Sequence, residues 1–189
     1  MTRAARKDQT LKICMIGAMT ALVFVSNYIR IPFMDTKLTV ANALCALAGL
    51  LFGPVGGFAA AGLGSGLYDL TAGYGVESLI TLVSKGAIAL VAGFIANKVF
   101  HKKETTTVDV VRVVIACAVG ALLYVALYML KTYLFGLYVN GLTLDATYVK
   151  MVSKLSGSLI NAVFAAIAGP ILFLALKPAL HHAGLASKL

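Results

Sequence analysis

Asp69, Glu77, Lys85, Lys131 and Lys154 are ionisable side chains that stand at the ends of long apolar runs or inside them. A charge in hydrocarbon costs at least a few kcal/mol without a partner or a watery cavity, so residues of this kind mark sites. Lys85 lies about two turns into its run. Lys154 begins another, where Ser158 and Asn161 follow at spacings that share a helix face. Tyr28, Tyr68, Tyr74, Tyr128, Tyr133, Tyr138 and Tyr148 accompany these charges, with Tyr124 deeper. Two readings compete. Lysines can snorkel to headgroups beneath an interfacial aromatic belt, or the same residues can line a pocket with apolar walls and a few placed donors and acceptors. The depth of the lysines favours the pocket.

Other chemistries lack their parts. The three cysteines, Cys14, Cys45 and Cys117, fall one each in separate apolar stretches without CxxC spacing or a nearby histidine, which leaves them as small packing residues. The GLGSGLYD segment has no preceding strand and no lysine, as a phosphate-cradling loop requires. The three histidines lie in a connection or the tail, far from Ser65, so no serine nucleophile is activated. No metal, cofactor or enzymatic step is expected.

The elements that position the charged residues follow from composition. Hydrophobic residues make up 60% of 189 positions and charged residues 12%, with a mean hydropathy of +0.93. A soluble domain needs more polar surface. At about 20 apolar residues per span the chain supplies roughly six helical spans and little else. Turn chemistry and charge place them at about 11–29, 38–53, 55–72, 77–99, 109–136 and 150–176 in a single membrane domain covering 1–189. Gly53-Pro54 makes the second and third a tight pair, because proline lacks the amide donor and restricts its predecessor.

The net charge of +9 is distributed by topology and does not form a nucleic-acid patch. Arg3, Arg6, Lys7 and Lys12, then Lys98, Lys102 and Lys103, then Lys177 and Lys188 fall on one side of six spans. The positive-inside rule makes that side cytoplasmic and puts both termini there. The connections on the other side carry Arg30, Asp35 and Lys37, then Asp69 and Glu77, then Asp145, nearly balanced in sign. No internal repeat supports an inverted-repeat carrier.

The basic N-terminus, the small-residue pair Gly17 and Ala21, the Ile31-Pro32 outer loop, AGLLFGPVGGFAAAGLGSGLYDL and KGAIALVAGFIANK together carry a resemblance. The chain resembles the substrate-binding S component of energy-coupling factor (ECF) vitamin transporters. The resemblance spans nearly the whole chain and is strongest from about Thr39 to Lys98. It implies an all-α, six-transmembrane-helix bundle in a bacterial plasma membrane that works with a transmembrane T component and two ATPase subunits. Gly17 and Ala21 would meet the T component, although the usual pattern has alanine at both places. The ligand would bind from outside, with Arg30 to Lys37 as a lid. The candidate ligand contacts are Asn27, Tyr28, Arg30, Lys37, Asn42, Tyr68, Asp69, Lys85, Tyr128, Lys131, Lys154 and Asn161.

The lysines suit a carboxylate or phosphate on the ligand, as in pantothenate or a folate-like compound, with riboflavin, a pyrimidine precursor and a queuosine precursor also open. A structural or assembly subunit, and a solitary facilitator, are the competing classes. Substitution of Lys85 and Lys154 separates pocket from scaffold. The pocket requires that solute uptake be lost while expression and assembly stay normal; unchanged uptake at both positions would favour the scaffold.

Overall fold

The computed structural model describes residues 3–33, 36–101 and 106–185, and within these leaves undescribed the side chains of 3–7, 33, 36, 37, 97, 98, 100 and 101. The topology charges Arg3, Arg6, Lys7, Asp35, Lys98, Lys102, Lys103 and Lys188 therefore lie outside the described side chains. The helices are α1 (Arg3–Ser26), α2 (Ala41–Thr71), α3 (Glu77–His101), α4 (Thr107–Leu134) and α5 (Leu144–His182), and a π turn at Phe135–Val139 extends α4. The first connection is not all coil or helix. It forms an antiparallel ribbon, β1 (Arg30–Phe33) and β2 (Thr36–Thr39), with Arg30 opposite Thr39 and Pro32 opposite Lys37. Pro32 is tolerated because a two-stranded ribbon consists only of edge strands.

Serines and threonines inside the helices do not break them, because their hydroxyls donate to the preceding turn. Thr20 donates to the Ile16 carbonyl, Ser84 to that of Ile80 and Thr132 to that of Tyr128. In hydrocarbon this internal satisfaction is what lets a polar side chain ride in a span.

α2 is two helical segments joined without an intervening loop, and it folds back on itself at Gly53, whose φ of 73° and ψ of −175° lie outside the helical region. Glycine adopts that positive φ without a Cβ penalty, and Pro54 has no N–H to be orphaned by the turn. The reversal is evident from side chains twenty positions apart: the Cys45 Sγ lies 3.9 Å from the Ser65 Oγ, where an unbroken helix would separate them by about 30 Å. The expected spans 38–53 and 55–72 are the two arms of this hairpin, 41–52 and 54–71. The first arm starts later than expected because Leu38 and Thr39 belong to β2. It climbs about 18 Å, less than the roughly 30 Å of a bilayer core. The described residues thus hold five elements long and apolar enough to cross a membrane, where the sequence suggests six.

α2 packs most extensively on α3, and the contact is made of backbone. A Cβ on Gly49 would sit 2.0 Å from the Ala89 carbonyl oxygen, and one on Gly93 would sit 2.7 Å from both the Gly49 oxygen and the Pro54 nitrogen. Between the arms, a Cβ on Gly57 would lie 2.5 Å from the Gly49 Cα. Fully buried alanines, among them Ala46, Ala48, Ala60, Ala61, Ala89 and Ala92, complete the seam. Without a hydrophobic drive between helices in lipid, close packing of small residues supplies the association.

The last turn of α1, the ribbon, the last turn of α2, the first turns of α3 and the last turns of α4 gather at one end of the bundle against α5. The Gly53-Pro54 turn, the end of α3 and the start of α4 lie at the other, where buried Lys177 of α5 donates to the Val99 carbonyl at 2.9 Å. Replacing Gly49 with valine forces the α2 hairpin away from α3. We expect Gly49→Val to lose about 1–3 kcal/mol or more of stability, read as a lower thermal midpoint of the purified protein in detergent.

Candidate ligand-binding site

A cavity of about 310 Å³ opens at the first of these ends. Three helical stripes build most of its wall. α3 presents Glu77, Thr81 and Lys85, α4 presents Tyr124, Tyr128 and Lys131, and α5 presents Lys154, Ser158 and Asn161. Each set recurs at three or four residues, the spacing that stacks side chains on one helix face. Asn27 beyond α1, Arg30 and Thr39 of the ribbon, Tyr68 and Asp69 of α2 and Tyr74 of the following turn close the remaining sides.

Lys85 is the deepest charge. Its residue is 7% exposed, and its Nζ donates to the Asn27 Oδ1 at 2.5 Å. Asn27 is held in turn: its Nδ2 donates to the Val23 carbonyl at 2.7 Å, capping the end of α1, and reaches the Ser65 Oγ at 3.5 Å. Lys131 pairs with Glu77 at 2.5 Å and ties α4 to α3 at the cavity rim. Arg30 donates to the Tyr68 hydroxyl and lies 5.7 Å from that ring's centre. The Lys154 ammonium stands 5.6 Å from the centre of the Tyr128 ring, which stacks on Tyr124 with centres 5.8 Å apart. With four basic and two acidic side chains, the lining carries a formal excess of two positive charges.

The ribbon is fastened to α5 by a bond from the Thr39 N–H to the Asn161 Oδ1 at 2.9 Å, and to α2 by the Arg30–Tyr68 bond. Because β2 runs into the short first arm of α2 through Val40, the Thr39–Asn161 bond also fixes where that arm begins against α5.

Nine of the residues singled out from the sequence meet in this cavity: Asn27, Arg30, Tyr68, Asp69, Lys85, Tyr128, Lys131, Lys154 and Asn161. Tyr28 does not. It is exposed and stands edge-on to Tyr68, ring centres 4.8 Å apart, with Phe24 edge-on to both. The turn after α1 points it outward, so it supports a wall residue from behind. Asn42 is also absent from the lining. It is buried in the first arm of α2 with its Oδ1 lacking a hydrogen-bond partner. The backbone of Lys37 pairs with Pro32, and its side chain lies outside those described.

Thr39, Tyr74, Glu77, Thr81, Tyr124 and Ser158 line the cavity without having been proposed as contacts. Thr81 and Tyr124 had a legible signal, since each stands four residues from a proposed contact on the same helix. Tyr74 stood among the tyrosines that accompany the charges in the sequence, whereas Thr39 had no signal, because a ribbon carries no such period. Gly17 and Ala21 are not part of the cavity lining and lie on exposed surface of α1, and space around Gly17 is open to at least 4 Å.

Asn161→Ala removes the tie between ribbon and α5. We expect faster amide exchange across 30–39 than in the unaltered protein, with the helical exchange pattern of α3 and α4 unchanged.

A family model described as "ECF-type riboflavin transporter, S component" matches residues 7–178. An uncharacterised protein of Pyrococcus woesei is 31% identical over 144 residues, covering 75% of this chain and 89% of that one. Among solved structures, one described as "Structure and mechanism of the S component of a bacterial ECF transporter" superposes with a TM-score of 0.65 at 17% identity, over 91% of this chain and 98% of the other. That likeness is one of fold.

Proposed function

Because the chain belongs to the family of ECF-type riboflavin transporter S components, we propose that it captures a compact water-soluble vitamin or vitamin precursor from outside the cell for ATP-driven import. Members of this family are substrate-binding subunits of transporters and not enzymes. The observation that carries the reading is the cavity: a 310 Å³ space at one end of a membrane bundle, lined by four cations, two carboxylates and four tyrosines. Exposed lysines snorkelling to headgroups would not converge on a shared space, which argues against a purely structural subunit.

The remaining roles follow from sidedness. The positive-inside pattern puts both termini and the Gly53-Pro54 turn in the cytoplasm of a bacterial cell, so the cavity faces outward under the ribbon as a lid. A T component would dock on the exposed small residues Gly17 and Ala21 of α1, and two ATPase subunits would supply energy. Arg30, Tyr68, Asp69, Lys85, Tyr128, Lys131, Lys154, Asn27 and Asn161 would contact the ligand. Tyr28 and Asn42 would act from behind the wall.

The cation excess favours a ligand with a carboxylate or phosphate. A cavity near the lower end of the usual size range, about 300–1,000 Å³, suits pantothenate better than a folate. Riboflavin is the second reading, favoured by the family description and by the Tyr124–Tyr128 stack, which offers aromatic surface to a flat ring.

Mass spectrometry of small molecules retained by the purified protein tests the proposal directly. We expect one vitamin-class compound at near-stoichiometric level, and the same compound to raise the thermal midpoint in a panel containing pantothenate, folate and riboflavin. Retention of nothing, together with no shift across a full vitamin panel, would remove the capture function. Full uptake in cells lacking any ATPase partner would replace it with a facilitator.

A further inference from the structure

Lys85 differs from the other described cavity cations in being buried without an ion pair. Lys131 is held by Glu77 at 2.5 Å, Arg30 donates to the Tyr68 hydroxyl at the ribbon, and Lys154 stands against the Tyr128 ring. Among the described residues no carboxylate forms an ion pair with Lys85, although Asp69 lines the same cavity. An ammonium carries three donors. One is used on the Asn27 Oδ1, an uncharged acceptor. A buried charge is stabilised only when it is paired and its hydrogen bonds are complete, and a single amide oxygen does neither.

The side chain is also not snorkelling. Snorkelling would extend the ammonium outward along the cavity toward Glu77, but the residue is buried and its ammonium is turned to Asn27 at the end of α1. Asn27 cannot swing away easily, since its amide nitrogen is engaged by the Val23 carbonyl at 2.7 Å. The acceptor oxygen is thus fixed toward Lys85. No hydrogen bond from the remaining two donors is formed to a described residue, and Asp69, the acidic residue that acts on the ammonium, lies in the same cavity without closing an ion pair with it.

Resting on the capture reading above, we propose that Lys85 is the seat of the ligand's anionic group, so that the solute enters carboxylate or phosphate first and the cavity's preference for anions depends on this one ammonium. Glu77, Thr81 and Lys85 lie on a single stripe of α3, and Lys85 stands about 12 Å along the helix from Glu77. The anion passes the neutralised Lys131–Glu77 pair at the rim without a strong competing attraction there. The body of the ligand then lies along Thr81, between the tyrosines of α2 and α4. A carboxylate completes the ammonium's hydrogen bonds and supplies the missing countercharge in one step.

The test uses the full chain, purified in detergent, and a matched pair of probes: pantothenate and panthenol, in which a CH2OH group replaces the carboxylate. Affinities by titration calorimetry are expected to favour pantothenate by about tenfold or more in the unaltered protein, the range of a charge-assisted pair. In Lys85→Met the ratio of the two affinities falls toward one, and in Lys85→Arg, which keeps the charge, a preference for pantothenate survives. Circular dichroism of each variant establishes that the helices are retained. A ratio unchanged in Lys85→Met overturns the proposal, as does an unaltered protein that binds both probes equally. Binding of riboflavin but neither probe also overturns it while leaving capture intact. Failure of every vitamin to bind the unaltered protein removes the capture reading itself, and with it this one.

Discussion

Three glycines, Gly49, Gly57 and Gly93, bring three stretches of backbone within van der Waals contact, and the rest of the molecule is arranged around that approach. A Cβ at any of them would overlap main-chain atoms of a neighbouring segment, which cannot give way as a flexible side chain could. In lipid the hydrocarbon outside is as apolar as the protein inside, so shape and contact density hold helices together. The α2 hairpin and α3 form a close-packed unit on these terms. α1 joins it at Gly64, where a Cβ would meet the Thr20 carbonyl at 2.6 Å, and α4 at Gly120, where one would meet that of Ile88 at 2.9 Å.

That tight unit has a consequence at the cavity end. The arms of the α2 hairpin share one turn at Gly53 but differ in length, so the first stops about 9 Å short of the second. The chain covers this end with a β ribbon instead of helix, and the ribbon is linked to α5 by a backbone-to-side-chain bond at Thr39. Dense packing at one level and a polar, loosely roofed space above it are thus two results of one asymmetric hairpin.

Polar groups divide along the same line. In the packed region, hydroxyls such as those of Thr20 and Ser84 are satisfied by their own helix and the cysteines are small fillers; Cys117 even limits the space beside Gly169, where a Cβ would come within 3.0 Å of its sulfur. In the cavity, side chains from different elements satisfy one another: Lys85 with Asn27, Lys131 with Glu77, Arg30 with Tyr68. These contacts between elements hold the wall together and also leave positive charge in excess. Binding and packing therefore use different residues, and the cavity lining can vary without disturbing the glycine seam.

The sequence by itself determined the solvent, since 60% hydrophobic composition with so few charges has no soluble solution. It also determined which lysines sit too deep to be surface charges, because the register of a residue within an apolar run is a count along the chain. Helix spacing placed Ser158 and Asn161 on the face of Lys154, and the structure sets that face against the stripes through Lys85 and Lys131. Only the tertiary structure decided that two expected spans are arms of one hairpin, with five membrane-length elements among the described residues, that the first loop is a ribbon, and that Tyr28 and Asn42 stand outside the cavity. The physical reason is that periodicity fixes which face of a helix a residue occupies but not the rotation or the reach of that helix among its neighbours. Those depend on backbone contacts between segments far apart in sequence, such as Gly49 with Ala89, which no local pattern encodes.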